Sequence, residues 1–305
     1  MLALLFLIGG CTLFNTGPVA RFETSSVVIY AGEKVTFDAS SSYGDAQIIS
    51  YSWIFSDGEE TAGQKVDHTY SEAGRYSVTL HIEDSTGHTA QVEREILVYL
   101  QSGSEIFHED FSDGEQALER WSLDPTWASA GEGAVENVTG AHGFVLHIRS
   151  GADRWHRRSA AVSIPPLRVG QRIVFSCQAM MAQTKDAHTM SVFPARKSLD
   201  SLAGSLPYYL FTNEGGGSTI HEIEAHGGDI GHPIPFAPGV YRWYTYRFVF
   251  SADGYEFYVN DQLHVSGRLT QPIADGGEWS ILLGDESHTE ACDAYFDEIR
   301  VWVEE

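Results

Sequence analysis

The stretch from residue 241 to residue 267 places the strongest constraint on how this chain folds. Its apolar side chains recur at every second position on both sides of a turn, which is the period of a β-strand. The alternating residues are Tyr244, Tyr246, Phe248, Phe250, Tyr255, Phe257 and Val259. Asp253-Gly254 supplies the positive φ angles that the first reversal requires, and Asn260-Asp261 makes a second turn. Because one sheet cannot bury such a face alone, the sequence predicts a second sheet packed against it.

The same stretch resembles the concanavalin A-like lectin and glucanase jelly rolls, including laminin G-like and family 16 glucanase-like domains. The resemblance rests on Trp243-Tyr244-Thr245-Tyr246, Asp253-Gly254 and residues 256–262, on the closing run 295–302 and on the opening run 107–113. It covers residues 104–305 and implies a large antiparallel jelly-roll β-sandwich. This fold hosts lectins, hydrolases, lyases and spacers, so it does not by itself imply one function.

A second all-β region is predicted at residues 18–100, where short strands alternate with turns. Its marks are Tyr51, Trp53 and Phe55 ahead of Asp57-Gly58, followed by the run His68-Thr69-Tyr70. Strict alternation from 75 to 82 places Tyr76, Val78, Leu80 and Ile82 inward. These motifs resemble the PKD (polycystic kidney disease) domain, a small β-sandwich, which implies a spacer role. Asp45 and Asp84 fall in loops where some members hold Ca²⁺, and we interpret them as ordinary turn residues.

The first 17 residues form a predicted signal and tether. Met1 to Gly10 are apolar and too short to span a bilayer, which is typical of an export signal. Ile8-Gly9-Gly10-Cys11 resembles the lipobox of bacterial lipoproteins. The resemblance implies that the Cys11 thiol is acylated and that the exported protein touches a membrane, at the cell surface or in the periplasm, through this lipid alone. A signal without lipidation is the alternative, since no Lys or Arg precedes the apolar run.

The charge balance limits the partners of this chain. Its 305 residues carry 42 acidic and 19 basic side chains, for a formal net charge of −23. Such a charge argues against binding nucleic acid or anionic lipid through a basic surface. Beyond Cys11 the chain has Cys177 and Cys292, and the sequence leaves open a disulfide between them or two separate buried thiols.

A structural calcium ion is the one cofactor that the jelly-roll resemblance implies. In the glucanase-like family an acidic residue near the first strand and an Asp of the last strand often hold it. Glu109 or Asp110 and Asp297 match those positions, and carboxylate oxygens are the ligands that Ca²⁺ prefers. The alternative is that these acids cap or turn strands without a metal.

Residues 220–227 hold the candidate catalytic row. On a strand, Glu222, Glu224 and His226 share one face, with roughly 6.5–7 Å between successive members. Paired carboxylates near this separation are used in glycoside hydrolysis. The run is similar to the E-x-D-x-(x)-E strand of family 16 β-glucanases, which implies Glu222 as nucleophile and Glu224 as its helper. His226 stands where that family has its acid/base Glu. The alternative is a polar row facing solvent.

Aromatic side chains near predicted loops and concave strands are candidates for stacking on sugar rings. The six candidates are Trp127, Trp155, Tyr208, Tyr209, Tyr241 and Trp243. We predict Trp155, Tyr208 and Trp243 as glycan-binding residues. Packing in the core is the alternative for most of the six.

These patterns leave three candidate functions. The first is a surface-anchored lipoprotein that binds polysaccharide or cell-surface glycan through its jelly roll, with the preceding domain as spacer. The second is a glycoside hydrolase or polysaccharide lyase that uses Glu222 and Glu224. The third is a structural adhesion protein without glycan binding.

Overall fold

The structure is a computed structural model that describes residues 17–123, 134–140, 143–149, 157–182, 188–194, 208–214, 217–223, 229–269, 276–285 and 292–305. Its packing divides the chain into two compact units, Met1–Tyr99 and Leu100–Glu305. Apart from one short 3-10 helix, the regular elements of these residues are strands, which confirms the predicted all-β class. Within the described ranges, no helix reaches the length and hydropathy required to cross a bilayer.

The first unit is built from two small sheets. Its strands are β1 (Glu23–Thr24), β2 (Val28–Tyr30), β3 (Lys34–Asp38), β4 (Ile48–Phe55), β5 (Glu60–Ala62), β6 (Lys65–Thr69), β7 (Gly74–Asp84) and β8 (Thr89–Tyr99). One sheet has the order β1-β3-β6, and the other has the order β2-β8-β7-β4-β5. Strand β2 runs parallel to β8, while the other pairs are antiparallel.

Trp53 on β4 lies at the centre of the first core. Its side chain is fully buried, and its ring packs edge-on against Phe22 at 5.1 Å between centroids. The indole Nε1 donates a hydrogen bond to the carbonyl of Gly63 at 2.8 Å. Val78, Leu80 and Ile82 of β7 are buried in the same core, as their alternation predicts.

The second unit contains fifteen strands in its described residues and one 3-10 helix, Gly114–Arg120. The strands are β9 (Glu105–Glu109), β10 (Ser122–Leu123), β11 (Ala134–Gly140), β12 (Gly143–Arg149), β13 (Arg157–Ile164), β14 (Arg172–Met181), β15 (His188–Pro194), β16 (Tyr208–Glu214), β17 (Gly217–Ile223), β18 (Asp229–Ile234), β19 (Trp243–Phe250), β20 (Gly254–Val259), β21 (Gln262–Arg268), β22 (Gly277–Asp285) and β23 (Asp293–Glu304).

These strands form two antiparallel sheets. The seven-stranded sheet has the order β10-β13-β22-β15-β16-β17-β18, and the eight-stranded sheet has the order β11-β12-β23-β14-β19-β20-β21 with β9 paired to β23. Phe250 of the larger sheet packs on Trp279 of the smaller one at 5.2 Å between ring centroids. Phe175 stacks on the same indole at 5.3 Å. The predicted aromatic face is therefore covered by a second sheet, and the jelly-roll sandwich is confirmed.

Strands β19 and β20 form the predicted aromatic hairpin. Phe248 pairs with Phe257 across the two strands, and Phe250 pairs with Tyr255. All four of these side chains are buried. Because directly paired residues share a face of the sheet, this register stacks the apolar rows of the two strands towards the core.

The two turns of this hairpin region differ in geometry. In the second turn, Asn260 and Asp261 both have positive φ, at 48° and 65°. The prediction was wrong for the first turn, since neither Asp253 nor Gly254 has a positive φ. Gly254 is needed there for a close approach, because a Cβ at this position would lie 3.1 Å from the carbonyl oxygen of Gly267.

The entry and the exit of the second unit lie side by side. Strand β9 pairs antiparallel with the last strand, β23. Just before β9, the amide of Gly103 donates to the carbonyl of Val303 at 2.7 Å, and the amide of Val303 donates to the carbonyl of Ser104 at 3.0 Å. These contacts tie the beginning of the unit to its end.

Both cysteines of the second unit are buried thiols, so the structure favours the separate-thiol alternative over the disulfide. Cys292 Sγ donates to the carbonyl of Ile148 at 3.6 Å. Burial raises the pKa of the Cys177 thiol, because the thiolate would lose its solvation.

Native thiol labelling should reflect this burial. In a Cys11→Ser variant at pH 8, we expect Cys177 and Cys292 to react with Ellman's reagent more slowly than in the unfolded chain. The expected factor is on the order of a thousand or more, because reaction must await the small unfolded fraction. Labelling in denaturant measures the reference rate. Fewer than two reactive thiols in denaturant without reductant would contradict this prediction and restore the disulfide.

Candidate functional site

Glu222, the first member of the predicted catalytic row, lies on β17 inside the seven-stranded sheet. It pairs with Tyr209 on β16 and with Ile230 on β18. Glu224 and His226 lie outside the described residues. The backbone therefore places Glu222 next to β18, the last strand of its sheet path, and the catalytic role of the row stays a prediction.

The predicted glycan-binding aromatics do not all belong to one sheet. Tyr208 begins β16 of the seven-stranded sheet, where it pairs with Ile223, while Trp243 begins β19 of the eight-stranded sheet. Trp155 lies outside the described residues. The register also makes Tyr209, rather than Tyr208, the direct partner of Glu222.

Residues 235–242, named here the crossover loop, carry the chain from β18 in one sheet to β19 in the other. Tyr241 of this loop is 70% exposed. Its backbone has φ +54°, in the left-handed region that L-residues adopt at a cost of roughly 1–2 kcal/mol. Its amide donates to the carbonyl of Met181 at 2.8 Å. An exposed ring in a left-handed backbone position makes Tyr241 a candidate for contact with a ligand.

Neighbouring contacts hold the crossover loop in place. Phe236 packs edge-on against Tyr244 at 5.0 Å between ring centroids. The hydroxyl of Tyr244 accepts a hydrogen bond from the amide of Gly239 at 2.8 Å. Trp243 follows Tyr241 by two residues and is half-buried. The sequence named Tyr241 among six aromatics, but it carried no signal for the left-handed backbone that accompanies this exposure.

Glu109, one of the predicted calcium ligands, is a buried carboxylate at the end of β9. Its side chain is 1% exposed, whereas that of Arg120 is 47% exposed. Arg120 Nε donates to Oε2 at 2.8 Å, and Nη2 donates to Oε1 at 2.9 Å. The Phe111 amide and the Trp121 indole Nε1 add bonds of 2.9 and 3.3 Å. Both carboxylate oxygens are therefore satisfied by protein donors.

Arg120 also binds a second carboxylate, that of Asp113. Its Nη1 donates to Oδ2 at 2.6 Å, and its Nη2 donates to Oδ1 at 3.0 Å. The hydrogen bond from Arg120 is the main cause that lowers the pKa of Asp113, and a nearby charge on Asp110 opposes it. No sequence pattern marks Arg120 as the partner of these acids, since they are seven and eleven residues away and only the fold brings them together.

The other two predicted calcium ligands make local backbone contacts. Asp110 Oδ1 accepts from the amide of Ser112 at 3.0 Å, which lowers the pKa of Asp110. Asp297 is 2% exposed, and its Oδ1 accepts from the amide of Glu298 at 2.8 Å. Among the described residues, no three His, Cys, Asp or Glu side chains gather as a metal site. Because Glu109 is occupied by Arg120, the residues as placed do not fit the calcium ion that the resemblance implies.

In a comparison with protein families, residues 15–98 match the family described as PKD domain. The first unit is a PKD domain. Two curated relatives are similar to part of the chain: a microbial collagenase of Vibrio alginolyticus, and the pre-pro-metalloprotease PrtV of Vibrio cholerae serotype O1 (strain M66-2). The collagenase is 30% identical over 100 residues and PrtV is 38% identical over 76 residues. These matches cover 32% and 25% of this chain but 12% and 8% of the relatives, so the chain spans a small part of their length.

The chain also resembles solved structures at low identity. A β-glucanase of Bacillus licheniformis is 10% identical, with a TM-score of 0.44, and the match covers 66% of this chain and 99% of that one. Similarity at this level does not assign a function. A functional proposal must therefore be argued from the residues of this chain.

Inside the PKD domain, the two halves of the sequence motif contact each other. His68 stacks on Phe55 at 3.9 Å between ring centroids, and its Nε2 lies 2.7 Å from Asp57 Oδ2. The imidazole is 4% exposed. Asp84 Oδ1 accepts from the amide and the hydroxyl of Thr86 at 2.8 and 2.7 Å, as expected of a turn residue. These contacts give the PKD domain motif a structural role.

Proposed function

We propose that this chain is an exported surface protein whose second unit binds a polysaccharide, with the PKD domain as spacer. The observation that carries the proposal is Tyr241, an exposed ring on a loop fixed by hydrogen bonds beside Trp243. Sugars present C–H faces that stack on aromatic rings. A tyrosine offers this contact area at a low entropic cost, since it has two side-chain torsions and its backbone is already held.

The net charge narrows the class of ligand. At −23, the chain repels polyanions at low ionic strength. We therefore infer an uncharged polysaccharide, rather than an acidic one or a nucleic acid. Arg242, beside Tyr241, is exposed and can donate hydrogen bonds to sugar hydroxyls.

The anchor is a separate part of the proposal. Cys11 lies outside the described residues, and its lipidation is supported by the sequence Ile8-Gly9-Gly10-Cys11 alone. A fatty acyl chain at this residue would hold the protein at a membrane surface. Metabolic labelling with radioactive palmitate tests it, and incorporation into the parent but not into Cys11→Ser is the expected result.

The test of glycan binding begins with an array of neutral polysaccharides, followed by calorimetric titration of the best ligand. We expect Tyr241→Ala to weaken binding about tenfold, which corresponds to about 1.4 kcal/mol. Tyr43→Ala is the matched control, because Tyr43 is 54% exposed but belongs to the PKD domain. Equal affinities of the two variants would contradict the assignment of Tyr241.

The same ligands distinguish the alternatives. If the parent chain releases reducing ends and Glu222→Gln does not, the protein is a glycoside hydrolase rather than a binding protein. Unsaturated products would point to a lyase. If no glycan on the array is bound, the remaining candidate is a structural adhesion protein.

A further inference from the structure

At the end of β9, the first strand of the jelly roll, two carboxylates are paired with one arginine side chain. Glu109 and Asp113 present four carboxylate oxygens, and the guanidinium of Arg120 donates a hydrogen bond to each of them. The four donor–acceptor distances run from 2.6 to 3.0 Å. One planar group therefore bridges the end of β9 and the turn before the 3-10 helix, with the two-pronged geometry typical of arginine.

We propose that Arg120 takes the place of a structural calcium ion in this jelly roll and makes its stability independent of calcium. The guanidinium has the two structural effects that a divalent ion would have at this position. It neutralises a buried carboxylate and cross-links two chain segments. This role concerns the stability of the second unit, so it is independent of the proposed glycan binding.

The burial of Glu109 explains why a cation is required here. With 1% of the side chain exposed, its carboxylate has little access to water. Without Arg120, the Phe111 amide and the Trp121 indole would remain as its donors. A buried charge that loses its partner is strongly destabilising, and Asp113 would lose the hydrogen bonds of the same arginine.

Removal of Arg120 should leave a space lined by carboxylates. Glu109 and Asp113 would then face each other across the volume that the guanidinium had filled, with Asp110 close enough to perturb Asp113. Several carboxylates around one space are the ligands of a calcium site. Loss of the arginine should therefore create a dependence on calcium that the parent chain lacks.

The experiment is differential scanning calorimetry of the full chain in 10 mM CaCl₂, 10 mM MgCl₂ or EDTA. For the parent chain, we expect the midpoint of the second-unit transition to stay within about 1 °C in all three buffers. Tryptophan fluorescence identifies this transition, since six of the seven tryptophans belong to the second unit. A parent midpoint that falls in EDTA and recovers with calcium would overturn the inference without recourse to any variant.

The variants test the replacement itself. Arg120→Gln should lower the midpoint by roughly 6 °C in EDTA, and calcium should restore about 3 °C of that loss while magnesium restores less. Arg300→Gln is the matched control, because Arg300 is 45% exposed, close to the 47% of Arg120, but its partner Glu298 is 33% exposed. We expect this control to lose less than about 2 °C and to show no calcium response.

Two outcomes of the variant series would overturn the inference. A destabilised Arg120→Gln chain without a calcium response would make Arg120 an ordinary ion pair. An equal loss in both glutamine variants would do the same. If Arg120→Gln does not fold, Arg120→Lys takes its place. An ammonium cannot bind both carboxylates in the same way, so an intermediate loss with a smaller calcium response is expected, and a midpoint equal to that of the parent would count against the proposal.

Discussion

Replacement of Gly276 by alanine is expected to destabilise the second unit by about 4 kcal/mol. Gly276 has φ +71°, and a Cβ there would lie 2.6 Å from the carbonyl carbon of Pro165 and would also collide with the carbonyl oxygen of Ile164. Both neighbours are backbone atoms, which cannot turn away as a side chain would. Left-handed strain contributes about 1–2 kcal/mol and overpacking contributes the remainder.

Gly276 lies directly beside the end of the β13–β22 ladder, so a change in its backbone affects the pairing of these two strands. Ile164, the last residue of β13, pairs with Gly277, the first residue of β22. A shift of the backbone at Gly276 would move this end of the ladder and, two residues further, the buried Trp279. Denaturant unfolding followed by tryptophan fluorescence measures the change in free energy.

Gly170→Ala is the control for strain alone. Gly170 has φ +94°, but a Cβ there would meet nothing within 4 Å. We expect a cost of about 1–2 kcal/mol for this variant. Equal costs for the two alanine variants would show that the Gly276 backbone relaxes, and the predicted collision would be wrong.

Truncation of Trp53 to alanine should destabilise the PKD domain by about 4 kcal/mol, the cost of a large cavity in a core. Trp53 has no exposed surface, and its loss would also leave the Gly63 carbonyl without its 2.8 Å hydrogen bond. A domain of this size has a total stability of roughly 5–10 kcal/mol, so much of it would be lost. Calorimetry should show the first-unit transition shifted far down in temperature.

Trp53→Phe separates the two contributions. It keeps an aromatic ring next to Phe22 and Phe37 but removes the indole donor, and we expect a cost of about 2 kcal/mol. The second-unit transition should not move in either variant, since the two units have separate cores. A phenylalanine variant as unstable as the alanine variant would contradict the cavity argument.

The features that could be predicted from sequence are those carried by neighbours along the chain. The rows of Phe248 and Phe257 required a hairpin with a covered face, and the structure has both. The inward positions of Val78 and Leu80 were predicted from the same period of two. Such patterns survive because a strand buries alternate residues whatever its partners are.

The features that could not be predicted depend on distant pairs or on backbone torsions. Arg120 meets Glu109 only after β9 and the 3-10 helix have packed, so the acidic residue was assigned a metal instead of an arginine. The Asp253-Gly254 turn has the composition of a positive-φ reversal, but its glycine serves a close approach to Gly267. A glycine in a turn can be required for a positive φ or for a close backbone approach, and the sequence alone does not show which of the two applies.

The hydrogen bonds between Gly103 and Val303 and between Val303 and Ser104 place both ends of the jelly roll at one spot. A module of this kind can be spliced into a surface loop of a host protein, because its incoming and outgoing peptides need not be stretched apart. For the same reason, we expect it to accept circular permutation, in which the old ends are joined by a short peptide and new ends are opened at a hairpin tip.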